Sequence, residues 1–269
     1  MEYKVVIAGC TKNSASYISA HLSRLVEIGK LFKTYNIIIY ENDSSDNTCE
    51  ILTQFKEDNS NFNFIHEENV IERLKYTTHH IRAQTITRGR NILLKKIKRS
   101  YSDYDFMIML DLDNVLKRFK PKHILNIFNY SDVWDVVTAN CINKYYDIWA
   151  LRIPPSVWNE EIHGKIWEQP LDHDCWTQIV DNIHPRECVK NYQKIIPIKS
   201  PLIETESSFG GLGIYKISAI NGCKYNSFEN EHPRCEHVAF HKGIVRNGGR
   251  IFICPSLLVN CPTEHLQTE

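Results

Sequence analysis

The run Phe106–Leu110, five consecutive apolar residues set between Asp103 and Asp105 on one side and Asp111 and Asp113 on the other, constrains the fold more than any other stretch. It reads as a strand buried on both faces of a sheet. In an open α/β sheet, ligands gather beyond the carboxyl ends of the strands. Two acids in an Asp-Leu-Asp step just there can share a divalent cation. Carboxylate oxygens suit Mg²⁺ or Mn²⁺, whose shell is commonly completed by substrate phosphates, so the step is read as a metal–diphosphate site. A turn rich in Asp and Asn is also ordinary turn chemistry, and Leu171–Asp174 (LDHD) repeats the spacing with no apolar run before it. The site therefore needs support from the rest of the chain.

That support begins at the N-terminus. Lys4–Ala8 reads as a strand, Gly9–Ser16 as a small-residue loop, and Tyr17–Ile28 as a helix with Ile18, Leu22, Leu25 and Val26 on one face. Ile37–Tyr40 is a second strand that runs into the polar loop Glu41–Thr48, and Ile51, Leu52 and Phe55 mark another helix. Strand, polar loop, helix, repeated, predicts a parallel sheet with right-handed crossovers. Ser44, Ser45 or Asp46 would each cap the following helix. Glu41 and Asn42 stand at the carboxyl end of the strand instead, where a carboxylate accepts hydrogen bonds from a nucleobase or ribose.

Phe62–Ile65 is a weak third strand, and His66, His79 and His80 beside a polar stretch are left unassigned. Thr85–Arg99 reads as a helix with Ile92, Leu93, Leu94 and Ile97 on its apolar face and lysines on its solvent side. Arg88 and Arg90 precede that apolar run, and at a helix N-terminus they would neutralise a diphosphate. Farther on, Pro121–Phe128 predicts a short helix and Val133–Cys141 a strand. Lys144–Pro155 is dense in aromatics, and Trp158–Pro201 is loop-rich. Ser207–Tyr215 (SSFGGLGIY) carries three glycines, Cys235–His241 (CEHVAFH) an acid and two histidines, and Ile251–Val259 is the last strand. Trp149, Trp158 and Trp176 offer flat faces for a ring, although tryptophan is more often buried for packing.

At 269 residues the chain fits one large domain, or one domain with an appended lobe. Lysine plus arginine equals aspartate plus glutamate, 32 each, so no global field marks a nucleic-acid or membrane binder. No signal peptide or apolar stretch of membrane-spanning length is found, and the nine cysteines include no Cys-x-x-Cys pair. These features lead us to expect a soluble, cytoplasmic protein with reduced cysteines.

Taken in order, YENDSSDNT, TRGRN, FMIMLDLDN, FGGLGIY and CEHVAFH resemble the nucleotide-sugar glycosyltransferases of the GT-A fold, over Val5 to about Val259. YENDSSDNT with Tyr145–Arg152 (YYDIWALR) is most similar to the fungal capsule-associated α-1,3-mannosyltransferases and related microbial and viral transferases, and the first half also resembles the large family-2 glycosyltransferases. The resemblance implies an α/β, GT-A-like single domain with a mostly parallel sheet, 1–120 being the nucleotide-sugar-binding half and 121–269 the acceptor-side half. It also implies transfer of a sugar from a nucleoside diphosphate sugar to a hydroxyl of a glycan or glycoconjugate. Asp111 and Asp113 would hold Mn²⁺ or Mg²⁺ against the donor diphosphate. Glu41, with Asn42, would meet the donor base or ribose, Arg90 and Arg88 would face the donor, and Gly210 and Gly211 would floor the acceptor cleft. Glu236 would be the general base, with His237 as second choice, because the chain has Glu-His where family-2 members usually have Glu-Asp or Asp-Asp. His241 would be a further metal or diphosphate ligand. UDP-sugars are the expected donors, with GDP-mannose the alternative, and inversion or retention stays open.

Three other readings compete. A sugar-nucleotide nucleotidyltransferase wants a glycine- and lysine-rich loop after the first strand, whereas Gly9–Ser16 has one of each. A non-catalytic nucleotide-sugar or glycan-binding module would bind donor without turnover. A glycoside hydrolase needs two carboxylates flanking a bond, and Asp111 and Asp113 sit on one loop instead.

Overall fold

Side chains on successive strand residues point to opposite faces, so a strand apolar at every position must be covered twice. The computed structural model, which describes residues 1–74, 81–180, 184–229, 232–261 and 266, shows this arrangement. The chain runs β1 (Lys4–Thr11), α1 (Ile18–Gly29), β2 (Thr34–Asn42), α2 (Thr48–Asp58), β3 (Phe62–Glu67), α3 (Val70–Arg73), α4 (Ile81–Ser100) and β4 (Phe106–Asp111). It continues through β5 (Val136–Cys141), α5 (Cys175–Val180), α6 (Pro185–Cys188), β6 (Ile203–Thr205), β7 (Leu212–Lys216), β8 (Phe228–Glu229), β9 (His232–Pro233), α7 (Glu236–Arg246) and β10 (Ile251–Val259).

Eight strands form one sheet in the order β3-β2-β1-β4-β7-β5-β10-β6. β3, β2, β1 and β4 are parallel, as are β5 and β10, while β7 runs antiparallel to β4 and β5 and β6 antiparallel to β10. The expected mostly parallel α/β sheet is therefore present. Val5, Ile7, Ile37, Ile39, Ile108 and Leu110 pack toward Ile18, Leu22 and Leu25 of α1. The alternate residues Val6, Ala8, Ile38, Tyr40, Met107 and Met109 pack toward Leu93, Leu94 and Ile97 of α4 and Phe240 and Ile244 of α7. Each fully buried aliphatic chain contributes about 1.5–3 kcal/mol over an exposed one, so this double cover fixes the register of β1, β2 and β4.

Two sequence expectations change. The helix expected from Thr85 begins at Ile81, because no proline or glycine interrupts Ile81–Arg88, which leaves Arg88 and Arg90 in the helix body rather than at its N-terminus. β5 begins at Val136, not Val133, since Trp134 turns inward to donate from Nε1 to the Ile127 carbonyl. The described residues of Trp158–Pro201 carry little regular structure beyond the short α5 and α6, as its loop-rich composition suggested. None of the nine cysteines forms a disulfide, and no helix among the described residues is long and apolar enough to cross a membrane.

Candidate active site

The two-residue period of β4 decides where Asp111 points. It shares a face with Met107 and Met109, the face covered by α4 and α7, and there it meets a side chain from each helix. Arg90 of α4 donates from Nη2 to Asp111 Oδ1 at 2.7 Å and from Nη1 to Glu236 Oε1, in the first turn of α7. The same Nη1 lies 2.6 Å from His237 Nε2, and the guanidinium sits over the rings of Phe209 (5.0 Å) and Tyr225 (5.8 Å). Gly89 makes this approach possible. A Cβ there would stand 2.4 Å from the Tyr40 ring and 2.9 Å from Cys10 Sγ. A glycine inside a helix costs about 1 kcal/mol relative to alanine, so its presence signals close packing. That signal is present in the sequence, in TRGRN.

Burial works against the charge of Arg90, yet Glu236 and Asp111 more than restore it and its pKa is raised. Asp111 is pushed up to about 7 by burial; Arg90 lowers it, but Asp113, Asp147 and Glu236 add repulsion. Asp147 was not identified from the sequence, although it lies in the quoted YYDIWALR. Its carboxylate accepts from Gly210 N–H (3.0 Å) and Ala150 N–H (3.4 Å). Gly210 and Gly211 have φ of +63° and +86°. A Cβ on Gly210 would lie 2.5 Å from the Ala139 carbonyl oxygen, and one on Gly211 would lie 2.9 Å from Tyr146 Oη. Both positions therefore require glycine. The Gly211 carbonyl accepts from Asp111 N–H (2.9 Å), and Asp113 Oδ1 accepts from Val115 N–H (2.9 Å). Asp111, Asp113, Asp147, Gly210 and Gly211 thus share one end of β4, and their hard oxygen donors suit Mg²⁺ or Mn²⁺.

Glu41 stands on the other side of β1. In register, Cys10 of β1 pairs with Asp111 and Thr11 with Glu41, so the two acids lie two strand spacings apart, roughly 10 Å. Glu41 is fully buried and faces α2. Burial opposes its charge, but hydrogen bonds from Cys49, Ser44 and His66 hold its carboxyl below the ordinary range. Asn42, also buried, donates to Asp43 Oδ2 at 3.0 Å. The N-cap of α2 is Asn47, with no side-chain capping bond, rather than Ser44, Ser45 or Asp46 of the Glu41–Thr48 loop. Ser44 Oγ accepts from Asn13 N–H, and Asp46 accepts from both Ala15 N–H and Thr48 N–H, lacing this loop to the one after β1.

The remaining candidates are placed differently from one another. Arg88 is half-exposed and bound through Nε (2.8 Å) and Nη2 (2.7 Å) to Glu67 at the end of β3, away from Asp111. His237 is buried and stacked on Phe209 (3.8 Å between centroids), and burial and Arg90 take its pKa well below the usual value. His241 is fully buried, with Nδ1 3.0 Å from Ser207 Oγ and Nε2 3.0 Å from Tyr215 Oη, so ligating a metal would require breaking one of these contacts. Trp149 packs on Trp176 (4.8 Å) and Trp158 on His163 (5.3 Å), all three tryptophans half-buried. His79 and His80 lie outside the described residues.

His241 gives a measurable pH dependence. Burial, then Arg90, lowers its pKa to about 3. Near neutral pH it is uncharged whether folded or unfolded. Below about 6.5 the unfolded chain binds a proton that the folded core refuses, so stability falls by about 1.4 kcal/mol per pH unit for this residue. Urea unfolding between about pH 6 and pH 5 should show this contribution added to that of His237, and His241→Phe should make the slope shallower by about 1 kcal/mol per pH unit. An unchanged slope would mean that the ring protonates in the fold.

No family model and no curated protein sequence matches the chain. Solved structures do. S. aureus TarS 1–349 matches with a TM-score of 0.50 at 14% identity, covering 95% of this chain and 59% of that one. The same fragment in complex with UDP-GlcNAc gives 0.50 at 13% identity, over 99% and 61%. The mannosyltransferase PcManGT from Pyrobaculum calidifontis, in complex with GDP-Man and Mn²⁺, gives 0.54 at 11% identity, over 97% and 57%. At these identities the likeness is one of fold, and the chain spans about three-fifths of the length of each of these three structures. The α/β architecture is that of GT-A glycosyltransferase structures.

Proposed function

We propose that the protein is a metal-dependent glycosyltransferase that moves a sugar from a nucleoside diphosphate sugar to a hydroxyl of a glycan or glycoconjugate. The observation that carries this reading is Arg90 bridging Asp111 and Glu236 at the carboxyl end of β4, with Asp113 and Asp147 beside it. UDP-sugars are the first expectation for the donor and GDP-mannose the second, in keeping with the UDP-GlcNAc and GDP-Man named for the two fold relatives. Residues 1–120 form the donor side and 121–269 the acceptor side of one domain in this reading.

Asp111 and Asp113 are the residues we assign to the cation, which when bound would offset charge developing on the departing diphosphate. Arg90 holds Asp111 in place and keeps Glu236 oriented. Glu41 and Asn42 are the residues we assign to the base or ribose. Gly210 and Gly211 leave the cleft floor clear and let Asp147 approach. Glu236 is our choice for removing the acceptor proton, through Oε2, since Oε1 is taken by Arg90. His237 is given a positioning role, because Nη1 of Arg90 covers its basic nitrogen.

The test is a thermal-shift panel of UDP-, GDP- and dTDP-sugars with and without Mn²⁺. A ligand at 100 times its Kd stabilises by about 2.7 kcal/mol. One nucleotide series is expected to raise the midpoint only with Mn²⁺, and transfer or hydrolysis of that donor should follow. Binding without any turnover would favour the non-catalytic module, and no shift with any donor would remove the reading.

A further inference from the structure

A second set of metal-ligating groups lies outside the aspartate cluster, on the opposite face of the sheet. Glu41 and His66 are paired residues on the adjacent parallel strands β2 and β3, and Cys49 comes from the first turn of α2, which covers the same face. Cys49 Sγ is 3.0 Å from Glu41 Oε2 and 3.5 Å from His66 Nδ1, and His66 Nδ1 is hydrogen-bonded to the same Glu41 oxygen. Among the described residues, this is the one group of three such ligands whose donor atoms all lie within 4.8 Å of one another.

We propose that Glu41, Cys49 and His66 form a binding site for a zinc-class divalent cation, separate from Asp111 and Asp113. Bond lengths of about 2.0–2.3 Å in a tetrahedral zinc site place ligand atoms roughly 3.3–3.6 Å apart. The sulfur–imidazole separation already matches, and to admit the ion both partners must move back from Glu41 Oε2, Cys49 by about half an ångström and His66 by a larger outward shift. His66 can make that shift because its side chain is 37% exposed, whereas Glu41 is fixed at 0%. The exposed side leaves the fourth position to water.

The surroundings are those of a ligand set. His66 Nε2 lies 3.4 Å from Glu68 Oε1, the carboxylate–histidine arrangement that orients metal-binding imidazoles. Glu41 Oε1 is held by Ser44 N–H at 2.9 Å, leaving Oε2 for the ion. A thiolate, an imidazole and a carboxylate favour Zn²⁺ or Co²⁺ over Mg²⁺ or Mn²⁺, and with the thiol proton released the loaded cluster is neutral. The two sites therefore select different ions. One consequence rests on the donor role proposed for Glu41: zinc here would take up that carboxylate and inhibit transfer competitively with donor.

The site itself is tested without any activity measurement. Metal-free protein is titrated with Co²⁺, watching for the near-ultraviolet thiolate-to-cobalt band and four-coordinate visible bands, and Zn²⁺ affinity is then measured by chelator competition. The bands are expected in wild type and in Asp113→Ala, and should disappear in Cys49→Ser. Zn²⁺ should bind at least about tenfold more weakly to His66→Gln, and about tenfold more weakly to Glu68→Gln. Circular dichroism checks folding, and His66→Gln, altered on the exposed side, carries the test if Cys49→Ser does not fold. Absence of the thiolate band in wild type, or wild-type zinc affinity in His66→Gln, would overturn the site. Loss of the bands in Asp113→Ala would also overturn it, by placing the ion at the aspartates. Failure of the glycosyltransferase reading alone would leave the cobalt spectrum intact.

Discussion

Arg90→Met is expected to destabilise the protein by about 3–5 kcal/mol, the range for removing one partner from a buried ionic network. The side chain is only 6% exposed and holds two acids, Asp111 from β4 and Glu236 from α7. Its loss leaves these carboxylates facing each other beside Asp113 and Asp147, with His237 Nε2 also losing its donor. Asp111 would respond by staying protonated, which softens the loss without abolishing it. Restoring neutrality should therefore restore stability. The triple variant Arg90→Met, Asp111→Asn, Glu236→Gln should recover most of the difference in urea unfolding. Arg90→Lys should recover less, because one ammonium cannot serve two acids in the fork geometry of a guanidinium. A single Arg90→Met that costs under about 1 kcal/mol would mean that the network is open to solvent.

Asp113→Ala is expected to lower the Mn²⁺-dependent transfer rate by roughly 10³-fold, the loss of about 4 kcal/mol of charge stabilisation, with little change in fold stability. The fold should tolerate it because Asp113 lies beyond the end of β4 and its Oδ1 accepts one backbone N–H, from Val115. Glu236→Gln separates the roles. It should lower turnover by about 10²–10⁴-fold while leaving Mn²⁺-dependent donor binding in place, as expected for a group that moves a proton. Asp147→Asn is the control for the base assignment. If it, rather than Glu236→Gln, gives the pH-dependent loss of turnover, the base is Asp147.

Much of the sheet was legible because strand and helix periods are local properties. Phe106–Leu110 is buried on both faces as its composition required, and Ile251–Val259 matches its expected bounds. Glu41 and Asp111 were found at strand ends because an apolar run that stops in an acid marks the carboxyl edge. The helix carrying Arg88 and Arg90 was misjudged at its start, since Ile81–Arg88 has too little apolar periodicity to announce itself. Asp147 went unassigned because a single acid in an aromatic loop has no periodic signal, and it acquires a place only when Gly210, more than sixty residues away, donates to it.

The sequence by itself determined the strands of the first half and their parallel sense, the covering helices and the edge on which the acids gather, because alternation and helical spacing act over a few residues. Only the tertiary structure decided which charges meet. Arg90 finds Glu236 across 146 residues of chain, Arg88 is drawn to Glu67 instead of the aspartates, and His241 is enclosed by Ser207 and Tyr215. It also brings Cys49 to Glu41 and His66. These pairings depend on how α2, α4 and α7 settle on the sheet, which is set by the summed burial of two cores and has no counterpart in any local pattern.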